Sequence, residues 1–145
     1  MIWGVTGHRA VSASTVLLID AWIAEIGAIA NLRATLYHGC CVGTDDVAAC
    51  TARANGNIVV VAVVPAATGL ISQRALDSSH HVIYAPPGRG NTNDYRARNE
   101  LLVYQLQKRS GTLKGFWNGS TRSGTSMTLN IARRANVTVD IQEIK

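Results

Sequence analysis

The sequence predicts one α/β domain over residues 1–145, a Rossmann-like, doubly wound, mostly parallel sheet with helices on both faces. Strand patterns alternate with helical patterns along the chain, as in sheets built from right-handed crossovers. The run IVVVAVV at 58–64 is β-branched without alternation, which is typical of a strand buried on both faces. Glycine-rich polar segments follow the strands, and 145 residues is the size of a single domain.

The first half of the chain is predicted to contain three strands and three helices. The strands are expected at 2–6, 34–38 and 58–64. Isoleucines at helical spacing indicate a long helix at 14–31, whose apolar face is a candidate surface for a homo-oligomer. A second helix is expected to begin at the segment TDD (44–46), because its side-chain oxygens can satisfy free N–H groups there. A short third helix is expected near 71–76.

The second half is predicted to contain three more strands and two helices. The strands are expected at 81–85, 112–117 and 137–141, and the helices at 94–109 and 123–135. Four apolar or aromatic side chains of the first of these helices are expected to point inward: Leu101, Leu102, Tyr104 and Leu106. The helices alternate with the strands here too, so the same parallel sheet is expected to continue.

Composition and charge exclude several classes of protein. Hydrophobic residues make up 47% of the chain and charged residues 16%, which argues against disorder and against a coiled coil. The longest apolar runs are shorter than the ~18 residues of a membrane span, and no secretory leader pattern is present, so a cytoplasmic location is expected. The net charge is +5. Residues 1–80 have four arginines and five acids, whereas residues 81–145 have ten basic residues and four acids, which favours an anionic partner.

The cysteines and histidines do not form a metal-binding pattern. Cys40, Cys41 and Cys50 lack the spacing of a zinc site and are expected to be reduced thiols. The four histidines show no ligand spacing either. We therefore expect no metal site and no cofactor.

Polar and glycine-rich loops are expected to meet at one edge of the sheet. They are TGHR (6–9), GCCVGTD (39–45), PPGRG (86–90) and GSTRSGT (119–125). Because the carboxyl ends of parallel strands share one edge, ligands bind there, at the switch in strand order. The last loop has three hydroxyl side chains and one guanidinium group between its two glycines, and a helix starts at its end, which predicts an anion site. It lacks the lysine of a Walker A motif.

Four segments together resemble the SLOG superfamily of Rossmann-like nucleotide-binding domains, and its YspA-type branch in particular. They are TGHR (6–9), HGCCVGTDD (38–46), YRARNELL (95–102) and FWNGSTRSGT (116–125). The superfamily also includes LOG phosphoribohydrolases, molybdenum-cofactor carrier proteins and DNA-processing protein A. The resemblance implies a nucleotide pocket and adds two helix residues to the loop residues. The resulting candidate ligand-binding set is Thr6, Gly7, His8, Arg9, Gly39, Gly43, Thr44, Asp45, Arg98, Asn99, Gly119, Ser120, Arg122, Ser123, Gly124 and Thr125.

One departure from the phosphoribohydrolases bears on activity. The resemblance aligns Thr128 with the glutamate that supports cleavage of the N-glycosidic bond. A hydroxyl group cannot replace a carboxylate beside an oxocarbenium-like centre, so this hydrolysis would need another acid, and Asp45 and Glu100 are the candidates.

Three functions follow from the sequence. The first is binding of a phosphorylated nucleoside or nucleotide-derived small molecule, as a sensor, carrier or sequestering protein, with a phage or defence setting as one context. The second is hydrolysis of a nucleoside 5′-monophosphate at the ribose C1. The third is binding of single-stranded DNA, which the basic second half favours and which would weaken steeply with salt.

Overall fold

The computed structural model describes residues 1–29, 33–67 and 69–145. Six strands form one parallel sheet within these ranges. They are β1 (Ile2–Gly7), β2 (Ala34–His38), β3 (Ile58–Val64), β4 (His81–Tyr84), β5 (Thr112–Trp117) and β6 (Thr138–Glu143). Their order across the sheet is β4-β3-β2-β1-β5-β6. The chain thus builds outward from β1 to β4 and then crosses back to the other side of β1.

Five helices in the described residues cover the sheet. They are α1 (Ala13–Ile29), α2 (Thr44–Arg53), α3 (Gln73–Asp77), α4 (Asp94–Lys108) and α5 (Gly124–Arg134). Buried side chains of α1, α2 and α3 share one apolar core, and those of α4 and α5 share another. The two sets of helices therefore lie on opposite faces, and the fold is of the doubly wound, Rossmann-like α/β type that the sequence predicts.

The two cores differ in their side chains. On the α1 face, the Trp22 ring lies edge-on to Trp3 and Phe116, with ring centroids 5.5 Å and 5.8 Å apart, an arrangement that aromatic pairs favour. On the α4 face, leucines and valines make up most of the buried set, among them Leu102, Leu129 and Val103. Burial of one such side chain contributes roughly 1.5–3 kcal/mol, so these side chains stabilise the packing of the helices on the sheet.

The predicted bounds of three strands, 34–38, 58–64 and 112–117, match the structure. The start of α1 lies one residue before the predicted start, and the predicted end at 30–31 lies outside the described residues. The final strand begins and ends later than predicted, at Thr138–Glu143.

One core prediction is wrong. Tyr104 is 54% exposed, whereas Leu102, Val103 and Leu106 are buried. The inward stripe of α4 therefore passes through 102, 103 and 106, which leaves residue 104 on the solvent side. The Lys108 ammonium group lies 5.5 Å from the centroid of the Tyr104 ring.

None of the described helices combines the length and the apolar character that crossing a membrane requires.

Candidate functional site

A cavity of about 630 Å³ opens at the carboxyl edge of the sheet, above β1 and its neighbours β2 and β5. The chain leaves β1 and β5 toward opposite faces, so the loops after these strands diverge and leave a crevice between them. Three of the four predicted loops contribute to its lining, at 6–9, 39–45 and 119–125. The fourth loop, 86–90, does not contribute, because β4 lies at the far edge of the sheet.

The cavity has two unlike walls. The closed wall consists of residues 6–9 and 39–45 together with Arg98. Several polar groups of this wall form hydrogen bonds with one another. The open wall consists of residues 118–125, the loop that leads from β5 into α5. The N-termini of both α4 and α5 border the cavity, through Asn93 and Gly124 respectively.

Arg98 is the central side chain of the closed wall. It is only 7% exposed, and its Nη1 atom donates a hydrogen bond to the Gly39 carbonyl. The same nitrogen lies 3.2 Å from Cys41 Sγ, and Nε donates to Asn99 Oδ1 at 2.6 Å. Two of its donors are therefore occupied within the protein, so Arg98 fixes the loop after β2 at the same time as it lines the cavity.

Asp45 is a buried acid beside this guanidinium group. Its Oδ2 atom accepts a hydrogen bond from the Cys41 amide at 3.2 Å, so its side chain turns back to the loop. Burial raises the pKa of Asp45 to about 6, against the opposing effect of the Arg98 charge. The predicted capping role of 44–46 is wrong: the N-cap is Gly43, without a side-chain cap bond, because the Thr44 hydroxyl instead donates to the His8 carbonyl at 3.0 Å.

His8 joins the two walls. Its Nε2 atom accepts a hydrogen bond from the Asn118 amide at 3.1 Å, which requires the neutral ring with its proton on Nδ1. Partial burial lowers the pKa of His8, consistent with that neutral form. On the closed side, the Thr44 amide and hydroxyl both donate to the His8 carbonyl, at 3.1 Å and 3.0 Å. The loop after β1 is thus held from both sides.

The open wall has donors without partners. Ser123 caps α5 by accepting from the Ser126 amide at 3.1 Å, so the positive end of the helix faces the cavity at Gly124 and Thr125. The Thr125 hydroxyl is buried and has no hydrogen-bond partner in the described part of the chain. Arg122 is exposed, and no carboxylate among the described residues lies within salt-bridge distance of it. These groups could bind an anion.

Eleven of the sixteen predicted ligand-binding residues line the cavity. They are Thr6, Gly7, His8, Arg9, Gly39, Asp45, Arg98, Asn99, Arg122, Gly124 and Thr125. Gly43 and Thr44 lie behind this lining and hold the loops together, since a Cβ at Gly43 would lie 2.3 Å from the Arg9 carbonyl oxygen. Gly119, Ser120 and Ser123 shape the loop of the open wall but are not among the lining residues.

The two acids proposed for catalysis lie in different places. Asp45 lines the cavity, whereas Glu100 pairs with Arg96 on the exposed side of α4, with a nitrogen–oxygen distance of 3.1 Å. Thr128, aligned with the family glutamate, also lines the cavity, and its hydroxyl donates to the Gly124 carbonyl at 2.9 Å.

Several lining residues were not predicted, among them Asn93, Tyr95, Asn118 and Met127. Asn93 and Tyr95 reach the cavity because α4 follows the edge strand β4 but packs against β1 near the centre of the sheet. The position of Asn118, a polar residue directly after β5, could have indicated that it lies at the cavity. No local signal marks Met127, which lies inside α5.

His38 is held within the fold by two hydrogen bonds. The His38 Nδ1 atom accepts from the Cys40 amide at 3.0 Å, and Nε2 lies 2.8 Å from the Ser79 hydroxyl. Complete burial lowers the pKa of His38 to about 3, so the ring is neutral. In the part of the chain that the structure describes, no three side chains of His, Cys, Asp or Glu come together as metal ligands would.

Comparison with known proteins supports the fold. No family model and no curated protein matches the chain. The molybdenum cofactor carrier protein of Chlamydomonas reinhardtii aligns with a TM-score of 0.67 and 17% identity over 97% of this chain and 74% of its own. The structural-genomics protein TM1055 aligns with a TM-score of 0.64 and 16% identity over 95% of this chain and 71% of its own. At these identities the likeness establishes a shared Rossmann-like fold.

Proposed function

We propose that this protein binds a phosphorylated nucleoside or another nucleotide-derived small molecule in the cavity at the switch point, as a sensor, carrier or sequestering protein of the SLOG superfamily. The observation that carries the proposal is the open wall, where a helix N-terminus borders the cavity together with the Thr125 hydroxyl and the Arg122 guanidinium group, neither of which has a partner among the described residues. Unpaired buried donors are costly unless a ligand satisfies them.

A phosphate at the N-terminus of α5 would satisfy these groups. The helix dipole and the amides of its first turn favour negative charge there, and the Thr125 hydroxyl would gain the partner that it lacks. Arg122 could close over the phosphate with two parallel hydrogen bonds. Arg9 lines the cavity from the closed wall and adds positive charge. The remaining volume would hold the sugar and base, since small-molecule sites occupy ~300–1,000 Å³.

Two further observations support a binding role over a catalytic one. One structural neighbour is a molybdenum cofactor carrier protein. The position aligned with the family glutamate is Thr128, whose hydroxyl already bonds within α5. The resemblance to SLOG domains in the sequence segments 6–9, 38–46, 95–102 and 116–125 agrees with the same role.

The test measures binding of nucleoside phosphates by calorimetry in wild type and in Arg122→Ala. We expect the substitution to weaken binding about tenfold, because it removes a charge-assisted contact, without lowering the melting temperature. Arg133→Ala is the matched control, since Arg133 is exposed on the last turn of α5 and lines neither cavity described here. Unchanged affinity in Arg122→Ala would contradict the proposal.

Hydrolysis at the ribose C1 is the second candidate, and one observation favours it. Asp45 lines the cavity, and its raised pKa of about 6 would let it deliver a proton to a departing base. The binding mixtures are therefore also analysed for free base and ribose 5-phosphate, the products of water attack on that bond. Release of base that is lost in Asp45→Asn and kept in Glu100→Gln would replace the binding proposal with this reaction.

A further inference from the structure

A second, smaller groove of about 290 Å³ adjoins the main cavity on the outer side of α5. Arg122 and Met127 line both spaces, so the groove continues from the open wall. Arg96 of α4 and Arg134 of α5 form its sides. Between the arginines lie only small polar groups and the side chains of Met127 and Ile131; the polar lining residues are Thr121, Ser123, Ser126 and Asn130.

Two of the three arginines that line the groove have no carboxylate partner among the described residues. Arg96 pairs with Glu100 at 3.1 Å. Over residues 1–29, 33–67 and 69–145, neither Arg122 nor Arg134 has a carboxylate within salt-bridge distance. No acidic side chain is among the residues that line the groove. Hydroxyl and amide groups beside unpaired guanidinium groups form a donor-rich surface suited to phosphate oxygens.

The lining also indicates which part of a ligand enters. None of the described residues that form this groove is aromatic, whereas proteins that hold successive bases of a strand use aromatic side chains for stacking. The groove therefore suits a phosphate or a phosphate-linked sugar better than a second base. Because Arg122 lies between the two spaces, it could contact both phosphates of a diphosphate.

We propose that the ligand is a nucleoside diphosphate or a sugar derivative of one, an inference that rests on the proposed function. Its nucleoside and first phosphate occupy the main cavity, and the second phosphate passes Arg122 into the groove between Arg96 and Arg134. This assigns to Arg96 and Arg134 a binding role that the main cavity does not require.

The experiment compares calorimetric affinities for the mono- and diphosphates of adenosine, guanosine, cytidine and uridine, and for inorganic phosphate and pyrophosphate. The diphosphate of the preferred base is expected to bind at least about tenfold more tightly than its monophosphate, as one added charge-assisted contact predicts. Arg134→Ala should remove most of this difference and leave monophosphate affinity unchanged. Arg133→Ala, which removes the same charge from the same turn outside the groove, should preserve it.

The possible results distinguish failure of the diphosphate proposal from failure of the proposed nucleotide binding. Equal affinity for mono- and diphosphates, with the Arg122→Ala loss intact, would overturn the inference alone. An Arg134→Ala variant that weakens both ligand classes equally would do the same, because it would indicate general charge attraction. Failure of the wild type to bind any of these probes would remove both proposals. Tighter binding of a twelve-residue thymidine oligonucleotide, with a steep dependence on salt, would replace the small ligand with a single strand.

Discussion

The two walls of the cavity are built in opposite ways. In the closed wall, the buried Arg98 guanidinium group donates to the Gly39 carbonyl, and the buried Asp45 carboxylate accepts from the Cys41 amide. In the open wall, an exposed arginine and a buried hydroxyl have no partner in the described residues. Both walls contain residues that were predicted from the sequence to bind a ligand. The difference shows that such a residue can serve the fold first, and that unused hydrogen-bonding capacity distinguishes a candidate binding group.

The strongest test of the difference between the walls removes one arginine from each and compares the loss of stability. Arg98→Ala should lower the free energy of unfolding by roughly 3 kcal/mol, because it leaves Asp45 buried without a nearby cation and the Gly39 carbonyl without its donor. Arg122→Ala should change stability by less than about 0.5 kcal/mol, because the Arg122 side chain is exposed and forms no salt bridge within the described part of the chain. Urea unfolding at pH 7 measures both values. Equal values for the two variants would contradict the distinction between the walls.

Glycines offer a second comparison of the walls. Gly43 has φ +96°, and an added Cβ would lie 2.3 Å from the Arg9 carbonyl oxygen, so Gly43→Ala should cost about 2 kcal/mol. A Cβ at Gly124 would meet no heavy atom within 4 Å, so Gly124→Ala should alter stability by less than about 1 kcal/mol. Thermal unfolding of the two variants gives the comparison. A Gly43→Ala protein as stable as wild type would show that the loops after β1 and β2 are not tightly packed.

A third comparison is a pH dependence that belongs to the closed wall. Asp45 has a pKa of about 6 in the folded protein against an ordinary value of 3.8. Below about pH 4 the Asp45 carboxyl is protonated in both the folded and the unfolded protein. As the pH rises toward 6, the carboxyl ionises in the unfolded protein and stays protonated in the folded one. Ionisation therefore stabilises the unfolded state, and the free energy of unfolding falls. The unfolding free energy of wild type relative to Asp45→Asn should therefore fall between about pH 4 and pH 6 and then level off. A difference that rises over this interval would contradict the raised pKa.

Much of the secondary structure could be predicted because it depends on neighbouring residues. The β-branched run of β3 and the strands 34–38 and 112–117 match their predicted bounds. Prediction failed where burial depends on a distant partner, as for Tyr104, whose exposure is set by how α4 packs on the sheet. It also failed at 44–46, since Thr44 bonds to the loop after β1 and Asp45 turns back to the Cys41 amide of its own loop, so neither side chain caps α2.

Local patterns were enough to predict an alternating α/β chain whose glycine-rich loops follow its strands, because periodicity and turn chemistry act over a few residues. The strand order, the loops that meet at the cavity and the partners of each cavity-lining arginine depend on the assembled fold. The contacts that decide this join residues far apart in the chain: Arg98 and Gly39 are 59 positions apart, and His8 and Asn118 are 110 apart. Such pairings depend on how the whole sheet assembles, so no local pattern contains them.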